Sequence, residues 1–235
     1  MNTIDLDQPT IVPPSEWLAA RRELLAKEKE LTRARDEISR LRRKLPWVEV
    51  TKHYVFEGPN GKVSLSGLFE RRSQLMIYHF MFGPEWDEGC QGCSFLCDHV
   101  DAARQHFEHH DLSFAAVSRA PWEKIAPFKE RMGWKFNWVS SFGADFNYDY
   151  QATATPEEMA NGRMLYNFEM TRIDSEEQPG GSVFYKDPAG DIFHTYSFYA
   201  RGGEELLGAY HFIDMTPKGR REKGPLSWVR YHDRY

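Results

Sequence analysis

The strongest constraint on the fold is a nearly continuous apolar run at residues 74–82, QLMIYHFMF, closed by Gly83-Pro84. A run of this length, bounded by turn residues, suits a strand buried on both faces, and such strands belong to parallel sheets covered by helices. From Cys93 onward Leu96, Val100, Ala103 and Phe107 recur with helical spacing, and residues 112–117, LSFAAV, read as a second buried strand. Strand, helix and strand in that order form the crossover unit of a parallel sheet. The fold class expected is therefore α/β.

Further along, Pro121 opens a helix to about Arg131, with Gly133 as its stop. Trp134, Phe136 and Trp138 alternate with more polar residues, as in a half-exposed strand, and Phe146, Tyr148 and Tyr150 keep a period of two. Thr155-Pro156-Glu157-Glu158 reads as a short helix start. Residues 182–185 and 191–199 flank a turn containing Asp187-Pro188-Ala189-Gly190 and predict a hairpin, and 204–213 reads as helical.

Residues 15–45 contain neither Gly nor Pro and are bracketed by Pro13-Pro14 and Pro46, which predicts one long helix with Ser15 as its N-cap. Trp17, Leu24, Leu31, Ile38 and Leu45 recur every seven residues, while the companion positions Ala20, Lys27, Ala34 and Leu41 are mostly small or polar. So narrow a seam favours docking on the chain's own globular part; a homodimer through this N-terminal helix is the alternative. The same stretch holds ten Lys+Arg and six Asp+Glu, a local +4 that leaves -9 on the rest of a chain whose net charge is -5. Such asymmetry draws unlike surfaces together, and a solvated helix face explains it equally well.

With 235 residues, 41% of them hydrophobic, the chain can bury a core in one domain plus an appendage. The division expected is an N-terminal arm and long helix at 1–45, an α/β domain at 46–215, and a C-terminal tail at 216–235 packed on that domain. Charged residues at 28% and aromatics at 14% argue against both disorder and a bilayer-spanning chain. The acidic balance, with a pI near 6.0, argues against a general nucleic-acid binder. Asp5 and Asp7 precede any apolar run, so the order of a secretory signal is missing, and the three cysteines are too few and too odd in number for a disulfide scaffold. A reducing, cytoplasmic compartment is expected.

The chemistry concentrates in Gly89-Cys90-Gln91-Gly92-Cys93-Ser94-Phe95-Leu96-Cys97, after a buried strand and at the mouth of a helix. At a helix N-terminus Cys90 meets unpaired N–H groups and the positive end of the dipole, which stabilise a thiolate. Two intervening residues let Cys93 reach back and resolve a mixed disulfide. Cys97, one turn further, is either a second resolving thiol or a small buried filler. Glu88, among the acidic residues before Cys90, raises a neighbouring thiol's pKa if it points at the sulfur, or serves as a proton acceptor. Arg119, after the second buried strand, emerges at the same end of a parallel sheet and either holds an anion or is an ordinary loop charge. Trp86 completes the auxiliary set. The rival is a metal site of Cys90, Cys93, Cys97 and His99, although four ligands crowded into ten residues depart from the separated pairs of structural zinc. No dinucleotide, P-loop or serine-hydrolase motif occurs.

The stretch from Val63 to Tyr199 resembles the thioredoxin-like superfamily on its peroxiredoxin-like side. Nearly the whole chain resembles a bacterial family of unknown function predicted to be dithiol-disulfide oxidoreductases, through GCQGCSFLCD, VSRAP, RMGW, SSFGADFNYD, LLGAYHFIDMTPKGR and the terminal RYHDRY. The resemblance implies a three-layer core with a central mixed sheet behind a long N-terminal helix, Cys90 in the nucleophile slot and Cys93 in the resolving slot. It implies a disulfide-containing or oxidant substrate and a thiol reductant as partners, with no organic cofactor, nucleic acid or membrane. Ser182 stands in the slot before residues 183–185 where thioredoxins carry a cis-proline, and Glu88 stands where peroxiredoxins carry a hydroxyl. The alternative is a non-catalytic binding or assembly module on the same core.

Overall fold

The structure is a computed structural model describing residues 9–235; Asp5 and Asp7, with the first part of the expected arm, lie outside the described residues. The chain forms two compact units, one comprising the residues before Trp47 together with Phe212–Arg221, the other Trp47–His211 with Glu222–Tyr235.

In the first unit, α1 runs Pro14–Arg42. Its N-cap is Pro13, in the extended conformation (φ -61, ψ 153), and Ser15 is already inside the helix. A residue before proline is held in the extended region, and a proline at N1 lacks only an N–H that has no helical partner, so Pro13-Pro14 overrides the serine. No α1 residue is buried, and Trp17, Leu24, Leu31, Ile38 and Leu45 are between 44% and 59% exposed.

The second unit is built in the order β1 (Val48–Glu49), β2 (Val55–Gly58), β3 (Gly61–Ser64), α2 (Leu65–Leu68), β4 (Gln74–His79), α3 (Gln91–Cys97), α4 (Val100–His109), β5 (Leu112–Ser118), α5 (Trp122–Arg131), β6 (Asn137–Ser140), α6 (Phe146–Asp149), α7 (Pro156–Asn161), β7 (Arg163–Tyr166), β8 (Glu169–Arg172), β9 (Gly180–Lys186) and β10 (Ile192–Tyr199). Helix α8 follows at Gly208–Asp214. The eight-stranded sheet has the order β1-β10-β9-β4-β5-β6-β2-β3. Strands β4, β5 and β6 are parallel, and β9 and β10 return antiparallel beside β4. This is the thioredoxin-like core, with the crossover strand at its centre.

The layers follow from strand alternation. Tyr78, Phe80, Phe114 and Ala116 face a core built with α3, α4 and α5, whereas Leu75, Ile77, Ala115 and Val117 face a second core closed by α2 and α6. Strands β4 and β5 are buried on both faces, which accounts for their unbroken apolar runs.

Several local expectations are corrected. The alternation at Trp134, Phe136 and Trp138 holds, all three being buried around exposed Lys135 and half-buried Asn137, but the strand itself starts only at Asn137 and Val139 is buried as well, because β6 lies inside the sheet between β5 and β2. Phe146, Tyr148 and Tyr150 lie on or just after the one-turn helix α6, with Phe146 fully buried. The helix after Cys90 breaks at Asp98 and His99 into α3 and α4. Residues 200–206 form a 3-10 helix ahead of α8. The β7–β8 hairpin, whose turn places Asn167 and Phe168 at positive φ, carries no Asn-Gly or Asp-Gly signal in the sequence.

Candidate functional site

Beyond β4 the chain stays hydrogen-bonded: Phe80 N donates to Val117 O, and Cys90 N donates to Met81 O at 2.9 Å. These bonds hold Cys90 as the N-cap of α3, with φ -56 and ψ 133. Its sulfur takes the place of a capping oxygen, accepting from Cys93 N at 3.4 Å. A side chain at position 92 would bring its Cβ within 2.8 Å of Leu226 Cδ1 and 3.8 Å of Cys90 Sγ, so Gly92 allows the C-terminal segment to lie against the helix beside the sulfur.

Cys90 is half-buried, and its thiol is brought down to about 7. The largest cause is a hydrogen bond from the Cys93 side chain; the Cys93 and Gly92 amides add to it, and together they outweigh burial. Cys93 is buried and pushed well up by that burial and by Cys90, while its sulfur accepts from Met81 N at 3.5 Å and faces the Tyr78 hydroxyl. Cys97 is fully buried and raised by desolvation, then by Asp98 and Asp101. The three thiols thus differ sharply: Cys90 is poised and reachable, Cys93 is protonated and within reach of it, and Cys97 packs in the core.

The auxiliary residues are placed unequally. Burial raises the Glu88 carboxyl, but Arg234 and Arg131 outweigh this and hold it below its usual range. Glu88 therefore points at two guanidinium groups, and the groups shifting Cys90 are those of its own helix turn. The Trp86 indole packs against Gly83 and the core, and its carbonyl accepts from Lys124 Nζ at 3.2 Å. Arg119 pairs with Glu176 at 2.5 Å and Glu177 at 3.2 Å and covers the Tyr148 ring, so its charge is engaged by two carboxylates. His99 is no metal ligand: Nδ1 donates to Phe95 O at 2.7 Å and Nε2 accepts from Ala209 N at 2.9 Å, using both nitrogens. Among the described residues no group of three or more His, Cys, Asp or Glu could hold a metal ion. This corrects the four-ligand alternative.

Ser182 also changes place. Strand β9 begins at Gly180, so the residue before it is Pro179, in a trans peptide, and Pro179 lines the cavity beside Cys90. Ser182 belongs to the opposite face. There, His79 is buried between Ser182 Oγ (2.9 Å from Nε2) and Asn147 Oδ1 (3.5 Å from Nδ1), stacked on Phe146 and Tyr150. Ser182 Oγ lies 3.0 Å from Ser197 Oγ, which lies 2.8 Å from His194 Nε2. A bulge in β10 between His194 and Tyr196 brings His194 and Ser197 to one face.

A cavity of 340 Å³ opens beside Cys90 and Cys93, walled by Tyr78, Leu96, Phe198, Leu207 and Leu226. Its far rim is held by Tyr166, whose hydroxyl donates to Pro179 O at 2.6 Å and accepts from Ala200 N at 2.9 Å. Its C-terminal wall is anchored by Glu222 Oε1, which accepts from Tyr210 Oη, from Leu226 N at 3.1 Å and from Trp228 Nε1 at 3.1 Å. Tyr231 adds a bond to Gly89 O at 2.5 Å. Tyr78, Tyr166 and Leu226 carry no local signature, whereas Pro179, in Gln178-Pro179-Gly180, is marked by its neighbours.

Fold and site together define a protein of thioredoxin-like fold with a cysteine pair between its central strand β4 and helix α3. The chain matches the family model described as "Bacterial protein of unknown function (DUF899)" over residues 6–235 and belongs to that family. No curated protein matches it. Among solved structures it is similar to peroxidoxin BcpB from Mycobacterium tuberculosis at 13% identity, covering 72% of this chain and 97% of that one, with a TM-score of 0.41. It is also similar to peroxiredoxin Q of Xanthomonas campestris at 13% identity, covering 69% and 96%, with a TM-score of 0.42. A putative protein disulfide isomerase from Bacteroides thetaiotaomicron matches at 18% identity, covering 73% and 92%, with a TM-score of 0.39. Among the described residues no helix is long and apolar enough to cross a membrane.

Proposed function

We propose that the protein is a thiol-disulfide oxidoreductase acting on a disulfide or related oxidant, with Cys90 as nucleophile and Cys93 as resolving thiol. The observation that carries this reading is Cys90 Sγ at the N-cap of α3, stabilised by Cys93 and open to a cavity. The Cys90 thiolate attacks one sulfur of R–S–S–R′, forms a mixed disulfide and releases R′–S⁻, which takes up a proton. Cys93 then loses its proton to solvent and attacks Cys90 Sγ, displacing R–S⁻ and closing a Cys90–Cys93 disulfide. The protein dithiol gives up two electrons and the substrate gains them as two thiols. An external thiol reductant reverses the change in the protein.

The test is mass spectrometry of reduced protein exposed to a small disulfide and quenched with an alkylating reagent. The expected products are an intramolecular link in the wild type, an accumulating mixed disulfide on Cys90 in Cys93→Ser, and no adduct in Cys90→Ser. Loss of the link only on replacing Cys97 would refute the assignment.

A further inference from the structure

We infer that the substrate is a small disulfide carrying an apolar alkyl or aryl substituent, which lies in the cavity beside Cys90 while its sulfur meets the Cys90 thiolate. This rests on the disulfide-exchange reading above and adds to it the chemistry of the group bound.

The cavity volume of 340 Å³ sits at the small end of ligand sites, which fall at about 300 to 1,000 Å³. Both cysteines form part of its wall, so a molecule occupying it is held against the pair. The other walls are side chains of the buried core, Leu96, Phe198 and Leu207, with Leu226 from the C-terminal segment. Among the described residues its only charged lining groups are Arg201 and Glu204, and these close on each other as a two-bonded pair of 2.7 and 3.1 Å. Its tyrosine hydroxyls are engaged as well: Tyr210 donates to Glu222, and Tyr78 faces Cys93.

A polar or charged substituent entering here would lose water and meet few groups able to replace it, whereas an alkyl chain loses nothing. The charged ends of a peptide-like disulfide would have to disrupt the Arg201–Glu204 pair. The walls therefore select for hydrocarbon on the reacting sulfur.

The experiment compares two disulfides of nearly equal shape, dipropyl disulfide and bis(2-hydroxyethyl) disulfide, as oxidants of the reduced full-length protein, following formation of the Cys90–Cys93 link. Replacing hydroxyl by methyl inside the cavity is expected to raise kcat/KM by about tenfold. The second measurement is the same ratio in Gly203→Leu. A Cβ at position 203 lies no closer than 3.5 Å to Leu96 and Phe198, so the larger side chain extends into the cavity and should bring the ratio close to one. Leu226→Ala, which removes part of the opposite wall, should lower the ratio independently. If neither disulfide is reduced, the oxidoreductase reading itself fails. If both are reduced equally, or the ratio is unaltered in both variants, the reading stands and the apolar site is overturned. Faster turnover of propyl hydroperoxide than of dipropyl disulfide would also overturn the choice of a disulfide.

Discussion

Two neighbouring residues of one strand, Tyr78 and His79, look into opposite halves of the molecule, and the halves treat polar chemistry differently. On the Tyr78 side a sulfur pair stands at a helix end with an apolar cavity before it. On the His79 side, a histidine is sealed among aromatic rings, and its hydrogen bonds continue through Ser182 and Ser197 to His194. The first face leaves a group with a raised tendency to ionise within reach of a visitor. The second spends every polar group on another one, which suits a structural network. The contrast teaches that burial alone does not mark a reactive centre: His79 is the more deeply buried of the two titratable groups, yet it is Cys90 that is held near its ionised form.

The largest expected difference concerns His79, whose pKa is lowered to about 4 from an ordinary 6.5, mainly by burial. The unfolded chain therefore takes up this proton first, so stability is lost as pH falls from 6.5 towards 4. The loss amounts to about 3 kcal/mol for this residue. Urea unfolding at pH 7 and pH 4 should show it, and the pH-dependent part should shrink in His79→Gln. Equal pH dependence in the variant would break the contrast by showing that the histidine is not sealed.

Next comes thiol reactivity. At pH 7 about half of Cys90 should be thiolate, roughly 16-fold more than for a thiol of ordinary pKa, so it should be alkylated severalfold faster, with a midpoint near pH 7. Cys93 and Cys97 should stay protected until the protein unfolds, as peptide mapping of iodoacetamide-treated protein would reveal. Labelling of Cys97 at the rate of Cys90 would remove the distinction between poised and packed sulfur.

The smallest effect sharpens the separation between faces. Ser182→Ala removes the partner of His79 Nε2 and should cost about 1 to 2 kcal/mol of stability in urea. The Cys90 alkylation midpoint should remain where it was, because Ser182 does not face the cavity. A shift of that midpoint would mean that the two faces communicate through β4.

Much of this protein could be read along the chain. The runs at 74–82 and 112–117 announced buried parallel strands because a strand covered on both faces has no polar alternation. The pair Cys90 and Cys93 announced two thiols at a strand-to-helix junction, because their spacing puts both within the first turn of one helix. Thr155 and Glu158 form the capping box that their spacing suggests. These are local effects, complete within a few turns of backbone. The direction of Glu88 and of Arg119 was not legible, since each is set by partners far along the chain, Arg131 and Arg234 for the first and Glu176 and Glu177 for the second. Likewise, His99 gave up its ligand character only when the backbone of Ala209 arrived at its ring.

The sequence by itself determined the parallel crossover and the position of the cysteine pair on it, because near-neighbour spacing governs strand burial and helix capping. Only the tertiary structure decided which side chains wall the cavity and that Pro179, not Ser182, borders it. Those outcomes depend on segments separated by tens to more than a hundred residues meeting in space, and no short stretch of chain encodes its distant neighbours.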